Sequence, residues 1–426
     1  MARADAPSDP PAPDLAESIA SDSVEADAAY GYLYPDLTRE QSDLAHLALS
    51  QAYSPNLKRA RKSIAALHAL ESERHLPPLS QLLSMAIDVM RYQNGDFADE
   101  DEEAALLRSI NDAAERGSYS CHQALKARPG HPTYSLILGG IRGFSATLKI
   151  HSDPSDALSD GFQALKLLEK ARSADGRLKD CYLGTGIFNC TAANAPLFVR
   201  ATLKIIGRSV SMKSGLEALR VSAYRGQYTP VSSQLFLVQF LSPYDDELAR
   251  EKREIFRSLE SAYPRNPYYT FLRNDENLCF HPDSFFAPAS RAALASRIPA
   301  FANADFAGRR YGNLVRWQYT LLDPTPERKL APDPDYLFRD YGFYPVFIEA
   351  LRFKRAVEDS LEPGEKPSKA TIGRLREMRD SCLNLIADSP MNPARKRHHS
   401  WHVTDGLRWT AMQGRARPGG ASTTSR

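Results

Sequence analysis

Apolar side chains recur along this chain at spacings of three and four, the period of a helix with one buried face. Ala164, Leu165, Leu168 and Ala171 show it most plainly. No stretch alternates apolar and polar residues over the length of a strand, and no Asn-Gly hairpin joins alternating runs. The pattern predicts helices over roughly 38–53, 55–73, 77–93, 100–127, 132–149, 155–173, 178–191, 195–208, 211–225, 229–242 and 244–262. Breaks fall at Ser54-Pro55-Asn56, Asn94-Gly95-Asp96, Pro129-Gly130-His131-Pro132, Gly226 and Pro264-Arg265-Asn266-Pro267. Helix after helix with short turns predicts an all-α protein.

Local chemistry sharpens the starts. Thr38-Arg39-Glu40-Gln41 reads as a capping box, in which the Thr hydroxyl and the Gln amide each satisfy a backbone N–H. The acidic run from Asp96 to Glu103 precedes an apolar-periodic stretch from Ala104, where negative charge suits the positive end of a helix. It lacks the Asp, Asn, Gly and distal Glu order of a calcium loop.

Three helix ends share one frame. Cys121 and Ala124 precede Pro129, His131 and Pro132; Phe256 and Leu259 precede Pro264, Asn266 and Pro267; Cys382 and Leu385 precede Pro390, Asn392 and Pro393. Leu168, Ala171 and Gly176 repeat it with Gly at the stop. Two residues three apart pack on a neighbouring helix, and a Pro then ends the helix and sets the turn. The stops fit unequal multiples of a roughly forty-residue helical-hairpin repeat. Of each pair, both members should face the interior, whereas Arg257 and Glu260 should be exposed.

This is the second-helix spacing of tetratricopeptide (TPR) units, so the chain resembles the TPR superfamily. The resemblance is carried over about residues 40–280 by Leu138-Gly139-Gly140, Tyr182-Leu183-Gly184-Thr185-Gly186, Gly215-Leu216-Glu217-Ala218-Leu219 and Ala262-Tyr263-Pro264-Arg265-Asn266-Pro267. Together they look like a group of bacterial TPR proteins without a settled biochemical role. Most units lack the first-helix Trp, and the period is longer than the usual one. The resemblance implies an α-solenoid or compact superhelix of TPR-like hairpins, and helix length and turn spacing give about twelve to sixteen helices in all. It implies a non-catalytic scaffold whose concave face binds a protein or peptide. The expected organisation is a disordered acidic N-terminal segment over 1–29, a repeat domain over 30–283, a helical region continuing the repeat over 284–394, and a largely disordered basic tail over 395–426.

Composition fits an ordinary globular chain, with 42% hydrophobic and 25% charged residues. A net charge of +2 excludes a globally basic nucleic-acid binder. The five cysteines, Cys121, Cys181, Cys190, Cys279 and Cys382, are odd in number and form no CxxC pair, which argues against a disulfide framework or structural zinc. Cys121, Cys181 and Cys382 read as small buried hydrophobes. Residues 1–29 hold no apolar core of a signal peptide but carry seven acidic side chains from Asp5 to Asp27. Cys181 to Val199 is uncharged but contains Gly184, Gly186, Asn189, Asn194 and Pro196, so it reads as interior helix and not as a membrane span. The expected compartment is the cytoplasm; an export signal would have to lie upstream of Met1.

Candidate chemistry is sparse. Gly184-Thr185-Gly186 follows no strand and lacks the third Gly of a dinucleotide loop, so close helix packing is its expected role. There is no Walker loop, HExxH or GxSxG. His398 and His402 lie four apart with His399 and Asp405 near, but Arg395, Lys396 and Arg397 oppose cation binding, so no metal site is assigned. Arg395 to Trp409, followed by Arg415 and Arg417, mixes basic and aromatic residues that can hold nucleic acid or an anionic membrane surface. A solvated tail is the preferred reading. The aromatics Phe280, Phe285, Phe286, Tyr311, Trp317 and Tyr319, with Tyr336, Phe338, Tyr341, Phe343, Tyr344 and Phe347, read as core filling before ligand groove. No catalytic residue, metal ligand or cofactor is assigned. The alternative is a helical enzyme with a cleft between two halves, which clustered carboxylates or histidines of perturbed pKa would reveal.

Overall fold

A computed structural model describes residues 32–388 apart from Pro55, 94–99, 150–152, 196–199, 201–202, 204–209, 243–244, 281–287, 302–310, 317 and 320–367. The segment 1–29, the basic tail with His398, His402 and Asp405, and most of the C-terminal aromatics lie outside the described residues. Among the described residues the protein is all-helical and no strand occurs. They divide into two compact units, the first running to Tyr269 and the second starting at Thr270.

In the first unit the helices are α1 (Arg39–Tyr53), α2 (Leu57–Arg74), α3 (Leu79–Gln93), α4 (Glu100–Ala127) and α5 (Pro132–Lys149). There follow α6 (Pro154–Ala174), α7 (Cys181–Asn194), α8 (Met212–Arg225), α9 (Pro230–Phe240) and α10 (Asp246–Ala262). Of the helix expected over 195–208, only Arg200 and Leu203 lie among the described helical residues. The starts follow from side chains that accept otherwise unsatisfied backbone N–H groups. Thr38 Oγ1 accepts from Gln41 N at 3.1 Å while Gln41 Oε1 accepts from Thr38 N at 3.3 Å, the expected capping box. Asp153, Ser211 and Asp245 cap α6, α8 and α10 in the same way. Glu100 to Glu103 form the acidic first turn of α4. The stops obey the repeat frame: α4 and α10 each end two residues before their Pro, and α5 begins on Pro132.

Successive helices pair as hairpins. A Cβ on Gly139 would meet Leu168, and one on Gly143 would face Ala164, so α5 and α6 run antiparallel. A Cβ on Gly184 would meet Leu168 and one on Gly161 would lie beside the Phe188 ring, so α6 and α7 also run antiparallel. Close approach requires glycine at Gly186, where a Cβ would lie 2.6 Å from Leu219 Cγ and 2.9 Å from Leu219 N of α8. The Gly-Thr-Gly segment is thus a helix-packing surface on α7, as its sequence suggested.

A strap formed by residues 32–37 ties distant parts of the chain. Tyr32 and Tyr34 donate to Asp175 and Asp180, Thr133 Oγ1 donates to Pro35 O at 2.6 Å, and Asp36 pairs with Arg128. Arg177 stacks over the Tyr32 ring at 3.9 Å. Arg220 of α8 clamps Glu251 of α10 through two bonds of 2.8 and 2.6 Å.

The second unit contains the rest of α11 (Pro267–Phe280), α12 (Pro288–Arg297) with a 3-10 turn at Ile298–Phe301, a helical stretch at 311–316, and α13 (Lys369–Asp388). Phe271, Leu294, Phe301, Tyr311, Leu314 and Val315 are buried, with the Phe271 and Tyr311 rings 5.5 Å apart. Tyr311 is therefore core, while Tyr319 is half-buried under Arg291.

Burial follows the repeat frame at most of its positions. Cys121, Leu168, Ala171, Phe256, Leu259 and Cys382 are buried, and Ala124 is half-buried. Leu385 lies outside the residues whose side chains are described. Arg257 is exposed as expected, but Glu260 is 2% exposed, contrary to expectation. The reason is geometric: Glu260 lies four residues after Phe256, on the same helix face, and α10 buries a broad stripe that also takes in Glu251 and Lys252. Cys181 and Cys190 are buried too.

Candidate functional site

The first unit contains a cavity of about 660 Å3. Each surrounding helix gives it one stripe of side chains at spacings of three and four. On α5 the stripe runs from Thr133 through Leu136, Gly140 and Gly143 to Thr147, about 21 Å of helix axis at 1.5 Å per residue. Leu158, Gly161 and Leu165 of α6, and Leu183, Ile187 and Thr191 of α7, form the facing wall. Leu79, Leu82 and Ala86 come from α3, Leu49 and Tyr53 from α1, and Ser232, Phe236 and Phe240 from α9. The wall is aliphatic and aromatic over most of its length.

Two of the lining glycines are not explained by helix packing. A Cβ on Gly143 would sit 4.0 Å from Ala164 Cβ, and one on Gly161 would sit 3.6 Å from the Phe188 ring, both ordinary contact distances. Glycine inside a helix costs about 0.8–1.0 kcal/mol relative to alanine. At these two positions no neighbouring atom demands that cost; the missing side chains keep the lumen open.

Polar groups gather near the N-terminal end of α5. Asp180, 5% exposed at the start of α7, accepts from Tyr34 Oη, from Tyr228 N and Thr229 N at 3.1 Å, and from Thr229 Oγ1. The Tyr34 and Tyr228 rings meet edge to face at 5.5 Å, and His46 stacks on Tyr228 at 4.9 Å. Burial pushes the Tyr34 hydroxyl well above its ordinary pKa, helped by the adjacent Asp180 carboxylate, and pushes Tyr53 up to about 12. Burial also lowers the pKa of His46, against the pull of Asp180 and Asp43, and so favours its neutral form. Tyr53 Oη and Ser232 Oγ lie 2.7 Å apart on the cavity wall. Among the described residues no Lys, Arg or His lines the cavity, and Asp180 is its one carboxylate. That carboxylate is occupied by four donors and holds the strap and the turn before α9 onto α7.

A second polar cluster lies between α2 and α3. Ser80 Oγ donates to Glu71 and lies 3.3 Å from His68 Nδ1. The residue types are those of a hydrolase triad, but the order is not. The serine proton goes to the carboxylate, not to the imidazole. Glu71 also accepts from Ser80 N and Gln41 Nε2, so its role is to close the start of α3. Ser80 is buried, out of reach of a substrate.

The chain matches no protein-family model, no curated protein and no solved structure. The site therefore stands on its own geometry. Among the described residues, no group of His, Cys, Asp and Glu is arranged to hold a metal ion, and no helix is long and apolar enough to cross a membrane. Sequence reasoning missed the cavity. Its signal was present in the mid-helix glycines Gly143 and Gly161, but a glycine that serves packing, as Gly140 does against Leu82, and one that leaves space look alike in sequence.

Proposed function

We propose that the first unit is a non-catalytic binding module of the TPR-like kind, and that its ligand is an apolar molecule held in the lumen between α1, α3, α5, α6, α7 and α9. The observation that carries this reading is the 660 Å3 lumen with its almost wholly apolar wall. Sites that hold small molecules span roughly 300–1,000 Å3 and carry a few convergent polar groups. The hairpin-by-hairpin order of helices supports a superhelical arrangement, in which such a lumen is the inner face.

The usual TPR ligand is a peptide, and this wall suits one poorly. A peptide would bring a donor and an acceptor per residue into a space that answers few of them, at a cost for each group left unpaired. Catalysis finds little support at the same place: the tyrosines stay protonated near neutral pH, and the carboxylate is fully engaged. The test is titration of the full-length protein with Nile red, a neutral dye whose emission shifts in apolar surroundings. Saturable binding near one site per chain is the expected result. Emission that never saturates, or that equals the signal of a denatured sample, would overturn the reading.

A further inference from the structure

Resting on that reading, we infer that the lumen takes a neutral single-chain lipid, such as a long-chain alcohol or ester, whose oxygen seats at Tyr53 and Ser232. Three observations lead there. The α5 stripe from Thr133 to Thr147 gives an elongated wall about 21 Å long, which fits an extended chain. Gly143 and Gly161 keep that path open without serving helix packing, so they set the width available to the chain.

The third observation concerns charge and hydrogen bonding. Among the described residues no cation lines the lumen, and its one carboxylate, Asp180, already accepts from four donors. An ionised head group drawn against the described wall would be desolvated with no opposite charge there and close to a like charge. A neutral oxygen meets a better fit. Tyr53 and Ser232 carry two hydroxyl protons, and the 2.7 Å bond between them uses one. The other is left to donate to a ligand oxygen. Tyr53 is buried and remains protonated far above neutral pH, so it is available as a donor.

Displacement of Nile red from the full-length protein at pH 8 tests this with four competitors: hexadecanol, hexadecane, palmitate and cholesterol. Hexadecanol is expected to compete about tenfold or more better than palmitate, the worth of a desolvated, unpaired charge, and better than hexadecane by a similar factor for one hydrogen bond. Cholesterol is expected to compete weakly. Tyr53→Phe should lower the preference for hexadecanol over hexadecane while leaving hexadecane binding unchanged, a split that general damage to the fold would not produce. Gly143→Leu should weaken every chain ligand while helical content is kept. Palmitate or cholesterol competing as well as hexadecanol would overturn the proposal, as would an alcohol-to-alkane ratio unchanged by Tyr53→Phe in a folded protein. The competitor ratios are read on the parent protein, so they decide even where a variant fails to fold. Failure of Nile red itself to bind would instead defeat the broader reading of the lumen as a binding site.

Discussion

Glu71 lies near the end of α2 with its carboxyl buried, and burial raises its pKa from 4.5 to about 7, more than the bonds from Ser80 and Gln41 lower it. The folded protein then holds a proton that the unfolded chain releases above pH 4.5. Stability from this group is greatest at low pH and falls as pH rises from about 4.5 to about 7, by about 3 kcal/mol in total. Glu71→Gln cannot titrate, so urea unfolding at pH 4.5 and pH 8 should show a smaller difference for the variant than for the parent; equal differences would refute the assignment. The thiols give a second outcome at this scale. Burial pushes Cys121 and Cys181 up to about 12 and Cys190 to about 11, and a thiol reacts as its thiolate. Iodoacetamide at pH 8 should label these three only after unfolding, as read by peptide mass. Phe256 is 2% exposed, so Phe256→Ala should cost about 3–5 kcal/mol, while a change at exposed Arg257 should stay below about 0.5 kcal/mol.

Among the elements, α5 and α7 carry glycines of two kinds, and substitution separates them. Gly186 of α7 lies where a Cβ would press on the α8 backbone at Leu219 N, which cannot turn aside as a side chain can. Gly186→Ala should destabilise by about 1–3 kcal/mol, the usual cost of overpacking. A Cβ on Gly143 of α5 would meet Ala164 Cβ only at 4.0 Å, an ordinary contact, so Gly143→Ala should be neutral or gain up to about 1 kcal/mol of helix stability. Thermal melts of the two variants should move in opposite directions or, for Gly143→Ala, not move. A matching loss in both would mean that Gly143 serves packing and that the lumen is not kept open by it. Several helix ends depend on local chemistry that the sequence displays: a capping side chain before α1, α6, α8 and α10, and a Pro or Gly two residues beyond the end of α4, α6 and α10.

For the molecule as a whole, the strap at 32–37 and the turn before α9 are joined through Asp180, although Tyr34 and Asp180 are 146 residues apart. Asp180→Ala would leave the Tyr34 hydroxyl and two backbone N–H groups without their acceptor, each worth about 1–3 kcal/mol when buried and unsatisfied, while the Thr229 hydroxyl keeps Ser222 as a partner. A loss of at least about 3 kcal/mol is expected, with earlier proteolytic cutting near residue 34. A melting temperature equal to that of the parent would show that the strap is held by its other contacts.

The sequence by itself determined the all-helical class, most helix bounds in the first unit, the capping box at Thr38 and the register that buries Phe256 and Leu259. These depend on neighbours within a turn or two along the chain, so local spacing carries them. It did not reveal that Glu260 is buried, because the width of the buried stripe on α10 depends on what packs against it. Nor did it reveal the lumen. A cavity is the space left between stripes from six helices, and no one stripe differs in sequence from an ordinary core face. Whether Gly143 and Gly161 admit a neighbouring helix or leave room beside it was decided only when α5, α6 and α7 came together, because the distance between helix axes is a property of the packed structure and not of any segment.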